Sequence, residues 1–166
     1  IHEALLDAIG RTGVQEVKCR AIESIGCFTT EVVTKIIQDA YENEDPSLRR
    51  SAIHAMGSSC ELSWLPTILS ELDNPYASMR YEVANACGAI GAQTAIPHLT
   101  HLLKDEDQQV QIATIHALES IGGRNARQVL STYLKSADEV LVETIEESLQ
   151  NLGNEDGSID FKFDEQ

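Results

Sequence analysis

The sequence predicts an all-α fold, an α-α superhelix built as a solenoid of about five two-helix repeats. Three observations predict it. Five segments end alike: VQEVKCRAIESIG (14–26), LRRSAIHAMGSSC (48–60), MRYEVANACGAIG (79–91), VQIATIHALESIG (110–122) and LVETIEESLQNLG (141–153). Their last residues are 34, 31, 31 and 31 positions apart. A second apolar set recurs in phase, with Ile68, Leu99 and Leu130 and then Leu72, Leu103 and Leu134 at the same period, as do Pro66 and Pro97. Self-similarity of this length is the mark of a repeat array. The composition agrees: 42% hydrophobic but only 5% aromatic, a supply suited to close helix–helix packing.

Each unit is expected to hold a helix A and a helix B. Repeat 1 (about 1–28) uses Ile1–Arg11 as helix A and 14–26 as helix B. Repeat 2 (29–60) carries roughly one extra helical turn near Ala40-Tyr41, which would account for the 34. Repeats 3 (61–91), 4 (92–122) and 5 (123–153) have helices A at 64–72, 95–105 and 126–135. Proline fits near a helix start, where its missing N–H costs nothing. Counting back from the last residue of helix B, positions −12, −8, −5, −4 and −1 are mostly apolar or small, one buried stripe. Position −5 reads Ala21, Ala55, Ala86, Ala117 and Ser148, small enough for neighbouring helices to approach closely. Asp45, Asn74, Asp107 and Asp138 are placed to cap the B helices. The terminal glycines are read as left-handed caps. Residues 154–166 form an acidic C-terminal tail, either disordered or docked through Ile159, Phe161 and Phe163.

The formal net charge is −15. Residues 138–166 hold ten acids and one lysine. Nucleic-acid affinity rests on Lys and Arg, so no nucleic acid is expected as a partner, and no anionic membrane surface. No window approaches about 18 consecutive apolar residues, and no signal peptide is visible. The chain opens on Ile1 rather than Met, as a piece cut from a longer protein would. Cys19, Cys27, Cys60 and Cys87 form no CxxC pair and read as reduced thiols of a cytoplasmic protein.

MRYEVANACGAIG followed by TAIPHLTHLLKDED resembles the HEAT-like repeats of the phycobilisome-lyase type. The resemblance covers repeats 2 to 5 and the second helix of repeat 1. It implies a right-handed superhelix with A helices on the convex side and B helices lining the concave side. It also implies an Asp–Arg ladder, with Arg49 and Arg80 at the Arg position and Asp45, Asp107 and Asp138 near the Asp position. Gln15, Gln111 and Val142 depart from that pattern and leave the ladder incomplete.

Stacked repeats make an extended groove rather than a closed pocket. Positions −10, −6 and −3 of helix B lie away from the buried stripe. There the middle repeats offer Arg50, Tyr81 and Ile112 beside His54, Asn85 and His116, with Gly57 and Gly88 leaving room. Arg and Tyr are frequent interface anchors, so these six residues form the candidate partner-binding patch, against the alternative of an ordinary solvated helix face.

Catalytic constellations are not evident. His54 and His116 are two repeats apart, and one step is roughly 10 Å, too far to share a metal. His98 and His101 have possible metal spacing, but no acidic or cysteine partner is evident beside them. Deoxyhypusine hydroxylases are HEAT-repeat iron enzymes with repeated His-Glu pairs on their helices. Here the equivalent helix B site reads Tyr81-Glu82 and His2-Glu3 stands alone, so no di-iron site is expected. There is no Gly-rich phosphate loop and no GxSxG. Cys87 falls on the core stripe, and Cys19, beside Lys18 and Arg20, comes nearest to a reactive thiol. Trp64 reads as a packing anchor.

These readings lead to a non-catalytic protein–protein interaction scaffold, not an enzyme, with no cofactor and no metal. It would bind another protein or peptide along its concave face, and self-associate through an uncapped first repeat exposing Leu5 and Ile9. A phycobilin lyase-like or bilin-handling subunit is the alternative that the resemblance implies, and a cryptic metalloenzyme is a third.

Overall fold

The computed structural model describes residues 2–156, which form an all-helical solenoid of two-helix repeats. The helices are α1 (His2–Arg11), α2 (Gln15–Ile25), α3 (Glu31–Tyr41), α4 (Pro46–Ser58), α5 (Leu65–Leu69), α6 (Ala77–Ile90), α7 (Ile96–Leu99), α8 (Gln108–Ile121), α9 (Gly123–Tyr133) and α10 (Glu139–Asp156). Even-numbered helices are the B helices, and they pack side by side as one layer. The odd-numbered A helices form the other layer. The core between them is aliphatic, with Ile22, Ile53, Ile68, Leu99, Ile115 and Leu130 among its fully buried members.

The structure corrects the register of repeat 2. Ile22, Ile53, Ala84 and Ile115 are all buried and evenly spaced along the chain, as are Ile25, Met56, Cys87 and Leu118. The period of the later repeats therefore holds from the start, and no extra turn at Ala40-Tyr41 is needed. Gly26 corresponds to Gly57 and Gly88, not to Cys60. An added Cβ would meet Ala55 from Gly26, Ala86 from Gly57 and Ala117 from Gly88, the same contact three times. The longer first spacing arises because α2 stops early, at Ile25.

The helix ends also differ from expectation. Gly91 closes α6 in the left-handed conformation (φ 70°), but Gly26 stays right-handed, and α10 runs through Gly153 to Asp156. Repeat 2 instead uses Cys60 at φ 54°, a conformation that disfavours any residue with a Cβ. Cys60→Gly is expected to raise stability by about 0.5–1 kcal/mol, read as a higher urea midpoint. The docked-or-disordered tail falls mostly outside the described residues.

Helices A of repeats 3 and 4 are shorter than their apolar spacing implies. They break into 3-10 and α pieces, Leu62–Trp64 with α5, and Gln93–Ala95, α7 and Thr100–Lys104. Hydroxyls account for part of this: Ser70 donates to the Thr67 carbonyl (2.7 Å) and Thr100 to that of Ile96 (3.0 Å), local bonds that bend helices.

The ladder between repeats is real, but its acids are not those implied. Asp45 and Asp107 cap α4 and α8, each accepting from two backbone N–H groups. Asp45 also takes Gln15 Nε2 at 2.8 Å. Arg49 pairs with Glu71 (2.6 Å), which also accepts from Tyr41 and Asn74. Arg80 forks onto Asp105 at 2.7 and 2.8 Å. Asn74 stands one period before Asp105. It cannot neutralise Arg49, and Glu71 supplies the charge from one turn earlier.

Candidate functional site

The exposed face of the B-helix layer is built from residues that the corrected register aligns. Glu23 of α2 is in phase with His54, Asn85, His116 and Glu147, the place the sequence reading assigned to Arg20. Glu23 accepts from Ser51 Oγ of the next repeat (2.9 Å) and pairs with Arg20 (3.0 Å). His54 Nδ1 lies 2.8 Å from Glu82 Oε1, again across a repeat junction. The Glu82 hydrogen bond raises the His54 pKa against the burial that would lower it. Further along, Glu119 accepts from Ser148 (2.6 Å) and Asn151 (2.7 Å), with His116 Nδ1 at 3.6 Å. Burial works to raise the Glu119 pKa, but these hydrogen bonds outweigh it and hold the carboxyl below its usual value.

Of the six candidate residues, Arg50 and Tyr81 come together. With Glu82, Ser78, Asp107 and Gln109 they line a shallow depression of about 300 Å³ between α4, α6 and the start of α8. Tyr81 keeps 40% of its surface exposed. His54 reaches this group only through Glu82. Asn85 is half-buried, and Ile112 packs partly against the core. His116 belongs to the separate Glu119 cluster. Glu23 and Glu119 fall on position −3 of the outward face but outside the candidate patch, and Glu82 lies one position off that face, next to Tyr81.

The residues do not fit a metal pair. Among the described residues, no group of three or more His, Cys, Asp or Glu could hold an ion. The His-Glu positions read Arg50-Ser51, Tyr81-Glu82 and Ile112-Ala113. His101 does have an acidic neighbour, Asp73 at 3.5 Å, but both are exposed. Cys19 is buried rather than reactive, and burial pushes the Cys87 thiol up to about 12. No helix among the described residues is long and apolar enough to cross a membrane.

Stacked helix pairs with glycine–alanine contacts define a helical repeat protein, and a family model for HEAT repeats matches residues 65–150. The chain belongs to the HEAT-repeat family. It is 30% identical over 115 residues to a deoxyhypusine hydroxylase of Cryptococcus neoformans, covering 67% of this chain and 32% of that protein. It is 36% identical over 59 residues to a deoxyhypusine hydroxylase of Neurospora crassa, covering 36% of this chain and 18% of that one. The chain thus spans about a third or less of these curated relatives. A crystal structure of an engineered protein shares the fold with a TM-score of 0.61 and 19% identity, over 92% of this chain and 79% of that one.

These relatives correct the functional expectation. The sequence leads to a non-catalytic protein-binding scaffold, with a bilin-handling subunit as the alternative, and to no enzyme; the curated relatives are enzymes by name and support neither reading. The resemblance narrows to HEAT repeats as such. The physical reason is that the repeat stripe records packing, which an enzyme and a scaffold share. Catalytic groups are few and can lie in other repeats of a longer chain.

Proposed function

We propose that this chain is a HEAT-repeat part of an enzyme of the deoxyhypusine hydroxylase kind, and that its described repeats receive the substrate's amine-bearing side chain rather than hold a metal. The 115-residue match to a relative of that name carries the reading. Deoxyhypusine is a lysine extended by an aminobutyl group, so its side chain bears two amine charges at neutral pH. The depression beside α6 has the chemistry for such a cation. The Glu82 and Asp107 carboxylates supply negative charge, and the exposed Tyr81 ring supplies an aromatic face for an ammonium. Arg50 bounds the same depression and opposes a cation.

The test is a titration with a short peptide carrying deoxyhypusine, beside the same peptide with plain lysine. Tyr81→Ala and Glu82→Gln are each expected to weaken binding of the modified peptide by roughly tenfold, about 1.4 kcal/mol. Arg50→Ala is expected to tighten it. Equal affinity for both peptides, or indifference to all three substitutions, would sink the assignment.

A further inference from the structure

We infer that the groove between the A helices of repeats 4 and 5 docks an acidic amphipathic helix of another protein, with the apolar face of that helix in the groove and its carboxylates on the cations around it. The groove has a volume of about 540 Å³. Its walls are residues three or four apart on each helix, from Ile96 to Lys104 on one side and from Asn125 to Ser136 on the other. One helix face thus stands on each side, along roughly 16 Å. The groove lies in the A layer, whereas the depression at Tyr81 lies among B helices, so each surface can be occupied without the other.

The groove is apolar because of what its short side chains do. Ile96 and Leu103 are buried at one wall, and Val129 and Tyr133 are half-buried at the other. Thr100 donates to the Ile96 carbonyl at 3.0 Å, Thr132 to that of Gln128 at 2.8 Å and Ser136 to that of Tyr133 at 3.3 Å. Their hydroxyls are spent on their own backbone, and they are too short to fill the gap. Burial and the Asp138 charge raise the Tyr133 pKa, which keeps the phenol neutral. A helix with its side chains is about 10–12 Å across, too thick to sink into this volume along its length. The side chains of one helical face do fit, which is how grooves take up amphipathic helices.

Charge selects the partner. Residues 93–104 and 123–136 carry four of the chain's 12 Lys and Arg and none of its 27 Asp and Glu. The four are Lys104, Arg124, Arg127 and Lys135. The A helices of the first repeats are mixed instead, with Glu3, Asp7 and Arg11 on α1 and Glu31, Lys35 and Asp39 on α3. Lys104 lines the groove, and Arg124 and Lys135 are exposed next to Asn125 and Ser136 at its two ends. Acids close by are engaged elsewhere: Asp105 is held by Arg80, and Asp73 pairs with His101 at 3.5 Å. On a chain of net charge −15, such a patch attracts carboxylates that come within the screening length, about 8 Å at physiological salt. The remaining surface repels a long polyanion. An apolar centre inside a charged rim is the anatomy of a protein–protein contact, and a phosphate backbone or a lipid headgroup has no use for the centre.

The experiment titrates the full chain into a labelled synthetic helix with leucines at i, i+3, i+4 and i+7 and glutamates on both flanks, read by fluorescence anisotropy. The control peptide carries lysines in place of the glutamates. The glutamate peptide is expected to bind at least about tenfold more tightly than the control, and less tightly as salt is raised. Thr132→Trp, which fills the groove from an exposed position, and Lys104→Glu are each expected to weaken binding by roughly tenfold. Lys35→Glu on α3 makes the same change in net charge and should leave the affinity as it is. Equal affinity for the two peptides, or binding that Thr132→Trp leaves intact, overturns the inference. Polyglutamate or phosphatidylserine vesicles bound as tightly as the glutamate peptide would also overturn it, because the cations alone would then be the site. So would binding that appears only after Phe161→Ser and Phe163→Ser, which would make the chain's own residues 157–166 the occupant.

Discussion

Arg80→Met is expected to lower stability by about 3–5 kcal/mol, a large share of the roughly 5–15 kcal/mol that holds a domain of this size together. The Arg80 and Asp105 side chains are only 9% and 5% exposed. Nε and Nη2 fork onto the carboxylate, and Nη1 donates to the Asn74 carbonyl at 2.8 Å. Removing the guanidinium leaves a buried carboxylate with little besides the Asp107 N–H at 2.9 Å. Urea unfolding measures the loss. Arg80→Met with Asp105→Leu should recover most of it, because no unpaired charge then remains. The pH dependence gives a second check. The Arg80 hydrogen bond holds the Asp105 carboxyl below its usual range, in spite of burial. A depressed pKa contributes stability that is present above the unfolded value of about 3.9 and lost as pH falls through the folded value. The gap between parent and Arg80→Met should therefore close in acid. A gap that is constant with pH would assign the loss to packing instead.

Gly57→Ala is expected to cost roughly 2–3 kcal/mol, although glycine to alanine inside a free helix gains about 1 kcal/mol. The added Cβ would sit 2.6 Å from the Ala86 Cα and 2.8 Å from its Cβ. The first of these is backbone, so α4 and α6 must separate, and the repeats stacked on either side feel the shift. Gly88→Ala should cost less, since its nearest neighbour, the Ala117 Cα, is at 2.9 Å. Denaturation midpoints in the order parent, Gly88→Ala, Gly57→Ala would bear this out. Ala86→Gly added to Gly57→Ala should restore part of the loss by reopening the gap.

Much of the architecture was legible because packing imposes a period. Ala55, Ala86 and Ala117 recur once per repeat because each must clear a glycine, and Ile68, Leu99 and Leu130 because each plugs the same layer. The site was less legible. Glu82 lies beside the core stripe, so a pattern of apolar spacing passes over it, and its partner His54 belongs to another repeat. Tyr81 and Arg50 were visible as exposed residues, yet nothing in their spacing says that they share a depression with Asp107. The enzymatic relatives were not legible either. No complete His-Glu pair stands at helix positions 50–51, 81–82 or 112–113, where Glu82 alone matches the pattern, and the match runs through the repeats themselves.

The sequence by itself determined the fold class, the count of repeats, the pairing of helices and the caps at Asp45 and Asp107, all consequences of local periodicity and local hydrogen bonds. Only the tertiary structure decided the register of repeat 1 against repeat 2, the partners of Arg49 and Arg80, and which carboxylates face outward. The reason is that Gly26 looks like a helix end in the chain and becomes a contact only when Ala55 is brought against it. Helix ends are local; the distance between two backbones is set by the whole stack.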